Sequence, residues 1–127
     1  MDAARLADGP LHAGGFVVAE WRDGGETSAE RPIAPLHVHF SDDEAWYVIE
    51  GRLGFVRGDD RVEAAAGSAV LVPRGTPHSF WNAADGETRY VIVMTPRIAA
   101  LVDAVHAPGS RERLHELFRE HDSELLA

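Results

Sequence analysis

The spacing of turn residues constrains this chain more than any other feature. Asp23-Gly24-Gly25, Asp42-Asp43, Glu50-Gly51, Gly58-Asp59-Asp60, Pro73-Arg74-Gly75 and Asp85-Gly86 interrupt the sequence at short intervals as far as residue 86. Between them lie brief segments rich in β-branched and aromatic residues: Phe16 to Trp21, Ala45 to Ile49, Leu53 to Val56, Ala69 to Val72, Ser79 to Trp81 and Arg89 to Met94. None is long enough for an ordinary helix. Many short strands at such spacing predict an all-β sandwich or barrel. The run Tyr90-Val91-Ile92-Val93-Met94 alternates imperfectly, which fits a strand covered on both faces.

The pattern changes at Thr95-Pro96. Thr95 is placed to cap a helix with Pro96 at its first position, where a missing N–H is harmless. Ile98, Leu101, Val102 and Val105 then recur at helical spacing on one face. After Ala107-Pro108-Gly109, Ser110 is a candidate cap for a second helix carrying Leu114, Leu117, Phe118 and Leu125 on one side. The expected organisation is a β-domain over residues 1–95 and a helical appendage over 96–127. The appendage is too short to fold alone and must pack on the barrel or on a second subunit.

Composition removes several classes of function. The 127 residues include no cysteine, so disulfide scaffolds, zinc–thiolate sites, iron–sulfur clusters and cysteine nucleophiles are excluded. A formal charge of −9 argues against a nucleic-acid or anionic-membrane surface. No apolar run reaches the length of a membrane span, and Met1 to His12 lacks the basic and apolar regions of a signal peptide. The expectation is a cytoplasmic protein with no membrane or nucleic-acid partner. With 45% hydrophobic residues and three tryptophans, it can bury a core.

Four residues form a metal-ligating pattern. His37 and His39 are two apart, so on a strand both rings project from one face. Glu44 has the wrong parity for an unbroken strand, but Ser41-Asp42-Asp43 supplies a turn that lets it open the next one. His78 lies far downstream, and only a closed β-fold brings it near. Neutral imidazoles with one carboxylate suit a divalent transition metal. Asp42, Asp43 and Glu44 crowd one turn, where a bound dication would offset their repulsion.

Residues 37–51 read HVHFSDDEAWYVIEG and residues 67–82 read GSAVLVPRGTPHSFWN. These resemble the two cupin motifs, HxH(x)4E(x)6G and G(x)5PxG(x)2H(x)3N. His37, His39, Glu44, Gly51, Gly67, Pro73, Gly75, His78 and Asn82 all match, in the family's order. Arg31 departs from a glycine that the family often has six residues before the first histidine. The resemblance implies an antiparallel jelly-roll (cupin) barrel with a short C-terminal helical appendage. It also implies a metal (Fe, Mn, Ni or Zn) held inside by His37, His39, Glu44 and His78. Gly51, Gly67, Pro73, Gly75 and Asn82 are read as structural, serving turns and strand ends.

The family narrows function to a metal-dependent oxygenase of the quercetinase-like dioxygenase class acting on a small molecule. The alternatives are a non-redox cyclase, isomerase or lyase using the metal as Lewis acid, and a binding module without turnover. Glu44 doubles as a candidate proton shuttle. By strand parity Trp46, Val48 and Phe80 are the expected walls of the substrate pocket, with Trp21 and Trp81 as packing residues. His12, His106, His115 and His121 have no partner pattern, and the last three are expected at the surface of the helices. Small cupins commonly pair, so a homodimer is expected.

Overall fold

The computed structural model describes residues 2–127. It contains two five-stranded antiparallel sheets. The first runs β1 (Leu11–His12), β2 (Val17–Asp23), β9 (Thr88–Met94), β4 (Glu44–Glu50), β7 (Ala69–Val72). The second runs β10 (Ser123–Leu125), β3 (Ala34–His39), β8 (His78–Asn82), β5 (Arg52–Arg57), β6 (Asp60–Ala65). The sheets face each other as a jelly roll without closing into one continuous barrel.

Alternation explains which faces meet. Glu44, Trp46 and Val48 of β4 are buried while Tyr47 is exposed. Thr88, Tyr90, Ile92 and Met94 of β9 point the same way. Between the sheets an aromatic cluster joins them: Trp46 meets Phe55 and Phe80 edge-on at 5.2 and 5.3 Å, and Phe80 meets Tyr90 at 5.8 Å. Burial of each such side chain contributes roughly 1.5–3 kcal/mol.

Besides the two-residue β1, two strands were not expected from the sequence in any form. Asp60–Ala65 alternates only weakly, with Val62, Ala64 and Ala65 as its apolar residues, and it forms because the β5–β6 hairpin turns at Gly58 and pairs Arg57 with Asp60. The other is β10, and it corrects the assignment of Leu125 to a helix. The first helix, α1 (Pro96–His106), is as expected, with the Thr95 hydroxyl accepting from the Ile98 N–H at 3.2 Å. Ser110 instead opens a 3₁₀ turn and donates to the Val105 carbonyl, so α2 starts at Leu114 and ends at Glu120. Asp122 then takes a positive φ of 52° and redirects the chain into β10, which pairs with β3. On that strand Ser123 and Leu125 both become buried. Leu101, Leu117, Phe118 and Leu125 form a second small core that fastens this segment to the barrel.

Asn82 and Gly51 show why two motif residues are structural. Asn82 donates to the carbonyls of Asp23 and Gly86 and accepts from the Ala84 N–H and the Thr88 hydroxyl. Gly51 sits at φ 86°, and a Cβ there would come within 2.8 Å of the Thr88 Cα. Arg31 needs no glycine conformation, because its turn closes through reciprocal backbone bonds with Ser28.

The outer face of the first sheet is apolar along one row. Register pairs Leu11 with Val18, Val18 with Val93, Val93 with Ala45, and Ala45 with Leu71. Leu11, Val93 and Leu71 are exposed, as is Tyr47 in the next row. Among the described residues, no helix is long and apolar enough to cross a membrane.

Candidate metal centre

Three strands bring the four expected ligands together. His37 and His78 are direct register partners on β3 and β8, and His39 follows two residues on, on the same face. Glu44 is the first residue of β4, reaching across from the opposite sheet. One ligand atom from each of His37, His39, Glu44 and His78 lies within 4.8 Å of the others, and all four residues are buried. Ligands at bonds of about 2.1 Å around one ion lie up to about 4.2 Å apart, so the cluster needs little contraction to close. The loop before His78 is held in place by Gly75, whose N–H donates to the His39 carbonyl at 2.7 Å from a left-handed conformation of φ 79°.

Hydrogen bonds on the far side of each ring decide what the cluster can bind. His37 Nδ1–H donates to the Pro35 carbonyl at 2.6 Å, and His78 Nδ1–H to the Thr76 carbonyl at 2.9 Å. Ser123 Oγ donates to the His121 carbonyl at 3.0 Å, so at 2.7 Å from His39 it accepts the Nδ1–H of that ring. Each proton is thus on Nδ1, and each Nε2 presents a lone pair. Glu44 Oε1 faces Nε2 of both His39 and His78 at 3.4 Å. Glu44 Oε1 and His78 Nε2 are buried without a hydrogen-bond partner. Converging acceptors without a donor are costly unless a cation sits among them. The donor set therefore fits a divalent transition metal.

The charge states agree with that fit. Burial, reinforced by the neighbouring His78 and His39 rings, lowers the His37 pKa to about 3. Burial pushes the Glu44 carboxyl up, but the contacts from His39 and His78 outweigh it and hold the pKa at about 2. At neutral pH His37 is neutral and Glu44 is ionised, the forms that ligate. The acidic turn next to them behaves differently from expectation. Asp43 is paired with the Arg74 side chain and N–H, and Asp42 with Arg97 at 3.6 Å, so arginines and not a dication offset these two charges. Only Glu44 faces the site.

The sequence matches the cupin domain family over residues 26–94. The chain belongs to the cupin family. An uncharacterized protein of Streptomyces coelicolor is 31% identical to this cupin over 74 residues, 58% of the chain and 63% of the relative. An oxidoreductase of Pestalotiopsis fici is 44% identical over 48 residues, 37% of the chain and 24% of the relative. The chain thus spans less than two thirds of the length of either. Among solved structures, a double-stranded β-helix protein of Klebsiella pneumoniae superposes with a TM-score of 0.60 at 21% identity, covering 76% of this chain and 90% of the other.

The His–Glu cluster of this cupin lies at a cavity of about 310 Å³. Trp46 and Phe80 line it, as do Trp21, Tyr90, Ile92, Ile98, Leu101 and Phe118. Val48 does not. It shares the inward parity of Trp46 but sits one step further along β4, at 1% exposure in the hydrophobic core. Trp21, expected only to pack, is a wall residue whose ring stacks on His106 at 5.7 Å. His106 is exposed as expected, yet it also borders the cavity. The inward alternation Val17, Ala19, Trp21 on β2 was the available signal for Trp21. Trp81 packs against the backbone of Gly54 and under the Arg61 guanidinium. A larger open groove of about 520 Å³ lies beside Trp81, at the Asn82 end of β8, and none of the four ligands borders it.

Proposed function

We propose that this cupin is a metal-dependent oxygenase acting on a small aromatic or dicarbonyl-type molecule. The observation that carries the reading is the placement of a buried, acceptor-only cluster at a cavity with predominantly aromatic and aliphatic walls. Such walls offer a sugar few hydrogen bonds, whereas they fit a flat, largely apolar molecule with a chelating oxygen pair. His37, His39, Glu44 and His78 would hold Fe(II), Mn(II) or Ni(II). When bound, the ion supplies a Lewis-acidic, redox-active centre with coordination positions beyond its four protein ligands.

The chain's own residues do the rest. Trp46, Phe80 and Trp21 orient the substrate by contact and keep water away. Glu44, ionised at neutral pH, is placed to take a proton at a carboxylate oxygen from an enolisable substrate. Tyr90 cannot share that work, because burial pushes its phenol well above the ordinary range. The partial likeness to an oxidoreductase supports the redox reading.

The test is dioxygen uptake by protein loaded with each of the three metals and offered flavonol and enol substrates. Uptake matched to product formation is expected. Turnover that survives both anaerobic conditions and zinc substitution would replace the proposal with a cyclase, isomerase or lyase. Tight capture of a ligand without any chemical change would make the protein a binding module.

A further inference from the structure

The three ligand histidines are not held alike. His37 and His78 donate to carbonyls two residues back along their own chain, at Pro35 and Thr76. Those acceptors persist wherever the local backbone persists. His39 donates instead to Ser123, which is 84 residues away. Ser123 is 2% exposed and is the direct register partner of His39 on β10. Its hydroxyl is oriented by donating to the His121 carbonyl.

The same segment covers the metal cavity. Leu114 and Phe118 of α2 and Leu125 of β10 line it, and the Phe118 ring stands edge-on to His37 at 5.5 Å. The segment is docked by the β10–β3 ladder and the Leu101, Leu117, Phe118 and Leu125 core, with Phe40 N–H to the Asp122 carbonyl, Leu126 N–H to the Leu36 carbonyl, and Ser41 and Arg97 to the Asp122 carboxylate at its two ends. If the segment lifts, the cavity opens and the His39 ring loses the acceptor that fixes its tautomer and orientation.

We propose that Ser123 is a positioning residue for the metal ligand His39, so that docking of residues 114–126 and metal binding form one coupled equilibrium. Linkage makes the coupling reciprocal: the docked segment raises metal affinity, and metal raises the stability of the docked segment. The inference rests on the metal centre and not on the oxygenase reaction.

The experiment uses the full chain, freed of metal by chelation and titrated with Co(II) and Zn(II) without substrate. Ser123→Ala is expected to weaken binding 10- to 100-fold, the usual effect of losing a partner behind a ligand, and to alter the visible spectrum of the Co(II) form. Ser123→Thr, which keeps a hydroxyl, is expected to recover most of both. In the wild type, Zn(II) is expected to slow amide exchange across residues 114–126, and in Ser123→Ala to slow it much less. Wild-type affinity and spectrum in Ser123→Ala would overturn the proposal. So would metal that leaves exchange in 114–126 unchanged in the wild type, a result that needs no variant to fold. A wild-type chain that takes up neither ion overturns the metal centre as well. Normal metal binding without dioxygen uptake bears on the proposed reaction alone.

Discussion

His78 Nε2 and Glu44 Oε1 face each other at 3.4 Å across the two sheets, both buried and neither with a hydrogen-bond donor. Two acceptors in that position oppose folding unless a cation lies between them. A dication converts the same pair into a cross-link between the sheets.

Removal of a ligand therefore has a direct readout. His39→Ala and His78→Ala are each expected to lose stoichiometric metal, measured by elemental analysis, while circular dichroism retains the β signature. Metal at 100 times its dissociation constant adds about 2.7 kcal/mol to the folded state. Chelation should then lower Tm by roughly 10 °C for a domain of this size. Unchanged metal content in both variants would sink the four-ligand centre.

Acidification of the metal-free protein should destabilise it in a defined window. His37 has a folded pKa of about 3 against an ordinary 6.5, so between these values the unfolded chain binds a proton that the folded chain refuses. Its contribution is present above pH 6.5 and lost as the pH falls towards 3. The full shift corresponds to a few kcal/mol at order of magnitude. Denaturant midpoints measured from pH 7 to 3 should fall steadily, and in His37→Ala the fall above pH 4.5 should be shallower.

Gly51→Ala is expected to cost about 2–4 kcal/mol, since it adds left-handed strain to a collision with the Thr88 backbone. Urea unfolding measures this. Gly67→Ala is the control, because it also has a positive φ but no atom within 4 Å of the added carbon. Equal costs for the two substitutions would assign the whole effect to conformation and none to Thr88.

The apolar row Leu11, Val18, Val93, Ala45, Leu71 crosses all five strands of the first sheet, and we propose that a second copy of this chain covers it. A two-fold axis through the row sets apolar side chains against their own equivalents. Light scattering should give a dimer mass, and Leu71→Glu with Tyr47→Glu should give a monomer. A monomeric wild type at tens of micromolar, or variants that still dimerise, would remove this face from consideration.

Local signals made part of this structure readable in the sequence. Turn residues and alternation marked most of the strands, and Thr95-Pro96 marked α1. The motif spacing named the residues that converge in the cluster, because strand parity and one turn suffice to aim His37, His39 and Glu44. What stayed hidden depends on distant partners. Nothing near Ser123 announces that it sits behind His39, and Leu125 fits a helical face as well as a strand until β3 offers an edge. Val48 lies in the core and not on the cavity for a related reason: parity tells which side of a sheet a residue faces, not how far the cavity extends along it.

The three tryptophans occupy three separate environments. Trp46 lies 5.8 Å from the His78 ring, Trp21 stacks on His106 beside the cavity, and Trp81 lies under Arg61 near the far end of β8. The protein thus carries its own optical probes. A paramagnetic ion among the ligands should quench Trp46 emission most, a flat ligand should perturb both Trp46 and Trp21, and Trp81 should remain a constant internal reference.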